Sequence, residues 1–224
     1  SAVQSESPPA SAVRVKLTEL FLSIQGEADA VGWPTVFVRL TGCPLRCGYC
    51  DTAYAFSGGD WATLDEVTER VAAYGVQRVC VTGGEPLAQK GAFPLLTALC
   101  DRGHRVSLET SGAIDIAEVD PRVVKVMDLK TPASGEMHRN RLENLSFIRP
   151  GDQIKFVVCD RADYEWSRRM VGDHSLDSRC TVLFSPGHDT LPPQQLAEWL
   201  LEDRLPVRLQ VQLHKYLWGN ARGR

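Results

Sequence analysis

The sequence predicts an α/β fold curled into a partial barrel, and three observations carry that expectation. Apolar strand-like runs alternate with helical patterns along most of the chain, which implies parallel strands covered by helices. Polar clusters follow the strands at their C-terminal ends: 43–52 after the first barrel strand, 82–85, 109–112 and 128–132 after the next three, 185–186 after a later one and 212–215 after the last. Barrels build their sites along that edge, whereas a doubly wound sheet gathers ligand contacts at one switch point, and no G-x-G-x-x-G opens a helix here.

The elements follow in order. Residues 1–14 are polar and carry Pro8-Pro9, too little apolar surface to offset ordering, so a disordered tail is expected there and a single domain over 15–224. The run 15–24 reads as a strand and ends at Gln25-Gly26-Glu27, where glycine frees the backbone to approach a ligand. A second strand covers 36–40. Thr63-Leu64-Asp65-Glu66 is a capping box opening a helix with Leu64, Val67, Val71 and Ala72 at helical spacing, and Gly75 ends it. Strands are then expected at 76–81, 105–109, 123–127, 153–158, 181–184 and 207–212, and helices at 93–100, 162–171 and 194–202. The stretch 131–146, rich in Arg, Asn and Glu, is a candidate lid.

Composition limits the function classes. The 224 residues are 43% hydrophobic and 24% charged, an ordinary globular balance, and a net charge of −3 argues against a general nucleic-acid binder. No apolar run approaches the ~20 residues of a membrane span, and the N-terminus lacks a signal-peptide pattern, so a cytoplasmic location is expected. Seven cysteines, three of them in one tight loop, fit a reducing compartment and metal ligation better than a disulfide framework. Cys80, Cys100, Cys159 and Cys180 stand alone in apolar segments and read as small buried hydrophobes.

Those three cysteines carry the chemistry. Cys43, Cys47 and Cys50 form a C-x3-C-x2-C array directly after the strand at 36–40, and close-set thiolates select zinc or an iron-sulfur cluster over hard cations. A structural zinc site is closed by four ligands, and no second cysteine pair or histidine knuckle follows. Three ligands leave a position open, as a reactive cluster needs. A fourth ligand such as Asp51 or a distant histidine would restore zinc, so the spacing alone leaves both metals open.

The array, with Tyr49 before its last cysteine, resembles the signature of radical S-adenosylmethionine (SAM) enzymes, and Gly83-Gly84-Glu85-Pro86 resembles their SAM-binding motif. Within that group the chain is most similar to the 7-carboxy-7-deazaguanine synthase family, on Ser23-Ile24-Gln25-Gly26-Glu27, Arg39 through Thr52, Thr82 through Pro86, Asp128-Leu129-Lys130 and the ending Gln212-Leu213-His214-Lys215-Tyr216-Leu217-Trp218-Gly219. One position departs from the family pattern: QGEG reads QGEA, with Ala28 in the last place.

The resemblance implies a partial (β/α)6-type barrel with additional strand segments at the chain ends. It also implies conversion of 6-carboxy-5,6,7,8-tetrahydropterin to 7-carboxy-7-deazaguanine with loss of ammonia, on the route to queuosine. The implied cofactors are a [4Fe-4S] cluster on Cys43, Cys47 and Cys50, SAM, and Mg2+ on Thr52. Implied SAM contacts are Tyr49, Cys50, Asp51, Gly84, Ser111, Asp128, Leu129, Lys130 and Ser185. Implied substrate contacts are Ile24, Gln25, Gly26, Glu27, Arg39, Thr82 and His214, with Lys215 beside the last. No side chain is implied to be catalytic beyond the cluster and the SAM radical. Residue chemistry independently favours Arg39 as a bidentate clamp for a carboxylate. Implied partners are an electron donor of the flavodoxin or ferredoxin type and a second copy of the chain as a homodimer. Two alternatives stay open: an activase that makes a glycyl radical on a partner enzyme, and a non-catalytic zinc-binding module.

Overall fold

The computed structural model describes residues 13–224, so the expected tail lies outside the described residues up to residue 12. One sheet of nine strands organises the described chain, in the order β3-β1-β2-β4-β5-β6-β7-β8-β9. The strands are β1 (Arg14–Ile24), β2 (Pro34–Leu40), β3 (Asp60–Thr63), β4 (Arg78–Gly83), β5 (Arg105–Thr110), β6 (Val124–Asp128), β7 (Gln153–Val158), β8 (Thr181–Pro186) and β9 (Arg208–Leu209). The helices are α1 (Leu64–Ala72), α2 (Ala92–Asp101), α3 (Arg161–Asp173), α4 (Leu176–Arg179), α5 (Pro193–Asp203) and α6 (Leu213–Trp218).

From β2 to β9 each strand pairs in parallel with the next in that order, and the order never reverses. Crossovers of one hand that always advance the same way put the helices on one face and curl the sheet around the other, which makes the partial barrel. β1 and β3 extend it antiparallel on the N-terminal side.

Period-two alternation sorts the residues. Val36, Val38 and Leu40 of β2, Val106 and Leu108 of β5, and Ile154, Phe156 and Val158 of β7 pack into one core with Leu95, Leu96 and Leu99 of α2 and Tyr164 of α3. Their alternates Arg39, Glu109 and Lys155 line the barrel interior. Deeper inside, Ala28, Val126 and Leu183 form a separate small apolar cluster.

Three details differ from expectation. Of the strand expected at 207–212, only Arg208 and Leu209 pair, with Leu183 and Phe184. Both are exposed, so no buried face extends the ladder. After Gln210 N donates to Phe184 O, the chain turns away, Leu213 N donates to Gly26 O, and α6 begins. His214 and Lys215 therefore stand in a helix and not at a strand end. β3 and α4 have no counterpart in the sequence reading. Arg14, assigned to the tail, already pairs with Thr63 of β3.

The capping box is half realised: Thr63 Oγ1 accepts from Glu66 N at 3.1 Å. No helix among the described residues is long and apolar enough to cross a membrane.

Candidate active site

The C-terminal strand ends surround a cavity of about 510 Å³. Its wall carries Ile24, Gln25, Glu27, Arg39, Cys43, Cys47, Tyr49, Cys50, Asp51, Thr52, Thr82, Gly84, Ser111, Asp128, Lys130, Ser185, His214 and Lys215. Gly26 and Leu129 are not on it. Leu129 is fully buried in the core, with its N–H given to Lys155 O at 2.9 Å, and Gly26 packs under the His214 ring, where a Cβ would collide with Nδ1.

The cysteine loop is held mainly by backbone groups, with Leu45 N also donating to Cys43 Sγ at 3.4 Å. Gly42 N donates to Ala55 O, Gly48 N to Ser134 O, and Glu85 N to Gly42 O at 2.8 Å. The last bond docks the Gly83-Gly84-Glu85-Pro86 turn directly onto the loop, which explains its glycines. A Cβ on Gly83 would stand 2.6 Å from Leu40 O, and one on Gly84 2.6 Å from Gly42 O and 2.5 Å from Cys43 Cβ. Glu85 completes the joint. Fully buried, it accepts from Thr110 Oγ1 at 2.6 Å, from Ser111 N and Oγ at 2.7 Å each, and from Leu87 N at 2.9 Å. Glu85→Gln would turn an amide donor toward at least one of these donors. A loss of about 2 kcal/mol is expected, read as a lower urea midpoint at unchanged m.

The stretch 131–146, expected as a candidate lid, is anchored to neighbouring segments at several points. Lys130 N and Asn140 Oδ1 pair at 2.8 Å, as do Asn140 Nδ2 and Lys130 O. Buried Asn144 ties Ile116 N, Gly112 O and Ile114 O, and Glu136 Oε1 accepts from Arg46 N behind the cysteines.

Cys43 and Cys47 are half-buried and Cys50 is exposed. Burial pushes the Cys43 thiol up, and that of Cys47 up to about 11, so a metal centre must displace their protons. Among the described residues no three His, Cys, Asp or Glu side chains converge on one ion-sized point. Three separated thiols at one end of a cavity, with no fourth ligand beside them, fit a polynuclear cluster with an open iron better than a closed zinc site. The adjoining wall fits a polar cofactor. Tyr49 Oη, Asp128 Oδ1 and Ser185 Oγ are buried with no hydrogen-bond partner among the described residues, and all three residues face the cavity. Lys130 Nζ holds Asp128 Oδ2 at 2.9 Å and sits 5.3 Å from the Tyr49 ring centre. Ser111 spends its hydroxyl proton on Glu85. Among the described residues the one side-chain hydrogen-bond partner of Thr52 Oγ1 is Cys50 Sγ, at 3.9 Å, so a hard cation there would depend on water and ligand oxygens.

The opposite wall is a charge network. Arg39 Nε donates to Glu19 Oε1 at 2.8 Å, its Nη1 donates to Gly83 O at 3.3 Å, and Tyr54 Oη donates to the same Glu19 oxygen at 2.7 Å. Glu27 Oε2 meets Lys155 Nζ at 2.9 Å, and Glu27 Oε1 accepts from Gln212 Nε2 at 2.6 Å. Burial alone would raise the Glu27 pKa, but the charge and hydrogen bond of Lys155, helped by Gln212, bring it down to about 2. Thr82 Oγ1 donates to Glu109 Oε2 at 3.2 Å. His214 is pushed down by burial against the pull of Glu27 and Asp51, which favours neutral imidazole. Lys215 Nζ pairs with Asp51 Oδ2 at 3.3 Å.

Glu19 and Lys155 were not among the expected site residues, and Glu109 and Gln212 lay in the polar clusters at 109–112 and 212–215 without a role of their own. The available signal was a charged residue on the face that alternates with the apolar core positions, as Lys155 is between Ile154 and Phe156 in β7 and Glu109 after Leu108 in β5. Ala28 occupies a left-handed backbone position, φ 62°, which explains why its family pattern has glycine there. Its methyl, packed with Val126 and Leu183, offsets the strain. Ala28→Gly should therefore shift stability by less than about 1 kcal/mol, while Ala28→Val, β-branched at positive φ, should lose about 2 kcal/mol in thermal unfolding.

Comparison with known proteins places the chain. The radical SAM superfamily pattern matches residues 37–128. The 7-carboxy-7-deazaguanine synthase of Chlorobaculum tepidum is 48% identical over 213 residues, 93% of this chain and 97% of that protein. The synthase of Koribacter versatilis is 43% identical over 221 residues, covering 91% and 97%. In fold, the crystal structure of QueE from Escherichia coli superposes with a TM-score of 0.74 at 21% identity, over 91% of this chain and 96% of that one. The chain belongs to the 7-carboxy-7-deazaguanine synthase family of radical SAM enzymes.

Proposed function

We propose that this chain is the lyase that contracts 6-carboxy-5,6,7,8-tetrahydropterin to 7-carboxy-7-deazaguanine with release of ammonia. Family membership sets aside the activase and zinc-module alternatives and makes the enzyme dependent on a [4Fe-4S] cluster and SAM. The single observation that supports the substrate is the placement, in one cavity, of an arginine fixed by Glu19 and of a carboxylate, Glu27, held ionised by Lys155.

Bound together, the cluster and SAM supply a one-electron reduction that yields a hydrogen-abstracting 5'-deoxyadenosyl radical. The residues of the chain position and shield. Arg39, its Nε fixed by Glu19, keeps N–H groups for the substrate carboxylate, and its strand pairs it with Thr82, one step from Gly83. Glu27, charged at any working pH, accepts from the amide and amino edge of the pterin, and Lys155 with Gln212 stop it from turning away. Neutral His214 closes the same end. A fixed ring, held at two edges, brings its C6 hydrogen to near-attack distance, where orientation alone lowers a barrier by several kcal/mol, on the order of 7–11 at best.

Mg2+, which Thr52 would hold and which would supply a positive charge for the substrate carboxylate, belongs to this reading, as do a flavodoxin- or ferredoxin-type electron donor, a homodimer and a cytoplasmic setting. Thr52 is supported by its place on the cavity wall and its otherwise uncommitted hydroxyl. The test is anaerobic: cluster-loaded protein, SAM, reductant, Mg2+ and the pterin, followed by mass spectrometry. 7-Carboxy-7-deazaguanine together with 5'-deoxyadenosine is expected. 5'-Deoxyadenosine without the deazaguanine would leave the radical machinery standing and overturn the substrate.

A further inference from the structure

The two carboxyls on the cavity wall beside the pterin site sit in opposite surroundings. Glu27 is clasped by Lys155 and Gln212. Glu109, on β5, receives only the Thr82 hydroxyl, on Oε2, and among the described residues no cation forms a salt bridge with it. The charged and titratable groups facing it are Glu27 after β1, Arg39 of β2, Cys80 of β4 and Lys155 of β7, while the adjacent strand β6 pairs apolar Val126 with it. The two cations are already engaged elsewhere, Arg39 by Glu19 and Lys155 by Glu27. Burial first, then the Glu27 charge, holds the Glu109 carboxyl above the usual carboxylate range, against the weaker pull of Lys155, Arg39 and Thr82. Paired groups pushed to different protonation states are how a site divides the work of holding and of moving protons.

Resting on the ring-contraction reading, we propose that Glu109 is the proton-transfer group of the ammonia-release step: its acid form protonates the departing ring amine, and the resulting carboxylate removes the C–H proton whose loss makes the new five-membered ring aromatic. The carbon–nitrogen bond breaks with its electron pair on nitrogen, and the Glu109 proton completes ammonia. The electrons of the C–H bond become the ring double bond as that proton returns to Glu109. Nothing is oxidised or reduced, and the carboxyl ends as it began. Thr82, donating to Oε2, fixes the rotamer and leaves Oε1 toward the cavity. Glu27 cannot serve, since a carboxyl with a pKa of about 2 carries no proton to give near neutrality.

The test uses the cluster-loaded enzyme and pterin deuterated at C6. In Glu109→Gln, deuterium should still reach 5'-deoxyadenosine and KM should stay near wild type. Ammonia and deazaguanine release should fall by about 100-fold or more, with an isomer of the substrate accumulating. Glu109→Asp should recover part of the release, and the fall of wild-type kcat on the alkaline side should be missing from Glu109→Gln. If Glu109→Gln does not fold, the same split between deuterium transfer and ammonia release is read on Glu109→Asp. Ammonia release within a few-fold of wild type, or parallel loss of deuterium transfer, binding and release, would overturn the proposal. Wild-type enzyme that transfers deuterium but forms no deazaguanine would instead sink the ring-contraction reading on which it rests.

Discussion

Cys47→Ala is expected to abolish turnover while leaving the fold nearly intact. Each of the three thiols is needed because the loop offers no replacement, and two ligands do not hold a cluster with one open iron. The scaffold is independent of them: backbone bonds from Gly42, Gly48, Cys50 and Glu85, with Arg46 Nη1 donated to Cys43 O, fix the loop without metal. Iron and sulfide content and the brown colour should drop, and 5'-deoxyadenosine and deazaguanine should both fall to background. The melting temperature of the metal-free protein should move by no more than a few degrees, roughly what ~1 kcal/mol does to a domain of this size. Substantial deoxyadenosine from this variant would show that the loop is not the cluster site. A collapse of the metal-free fold would show that Cys47 is structural.

The contrast between that loop and the rest of the site explains what the sequence disclosed. Cysteine spacing, the double glycine and the capping threonine are local, and their consequences fall within a few residues of where they are written. The barrel was legible for the same reason, since alternation within each strand fixes which residues face in, as Arg39 and Thr82 do. Partnerships across the barrel were not legible. Lys155 reaches Glu27 across 128 positions and Gln212 reaches it across 185, and no spacing rule links such residues. The strand expected at 207–212 failed for a related reason: V-R-L-Q-V-Q alternates as a strand should, but at the sheet edge the Leu213 amide finds a better partner in Gly26 O, a contact that exists only once β1 and its following loop are in place. The stretch 131–146 read as a lid because its polar residues resemble a solvent-facing loop. Asn140 and Asn144 are instead spent on backbone groups of neighbouring segments, at Lys130 and at Gly112, Ile114 and Ile116.

Lys155→Met should show what holds the substrate wall together, because it leaves Glu27 charged, buried and unpaired. Breaking a buried pair from one side costs about 3–5 kcal/mol, so a fall in melting temperature of roughly 6–20 °C is expected. The pH dependence should change sign as well. In the wild type Glu27 is brought down from 4.5 to about 2, so its contribution is fully present above pH 4.5 and is lost as pH falls toward 2. Without Lys155, burial becomes the dominant influence and the carboxyl is raised in the folded state. Stability from this group is then greatest below pH 4.5 and is lost as pH rises through the raised value. Urea unfolding should therefore show this group's contribution rising between pH 2 and 4.5 in the wild type, and falling above pH 4.5 in Lys155→Met. Adding Glu27→Gln removes the stranded charge and should return most of the lost stability while leaving pterin binding weak, since the ionised acceptor is gone. If Lys155→Met alone kept both the melting temperature and the acid slope of the wild type, the 2.9 Å pair would not be what ionises Glu27, and the recognition of the pterin edge would have to come from the backbone of Gln25 and Gly26 instead.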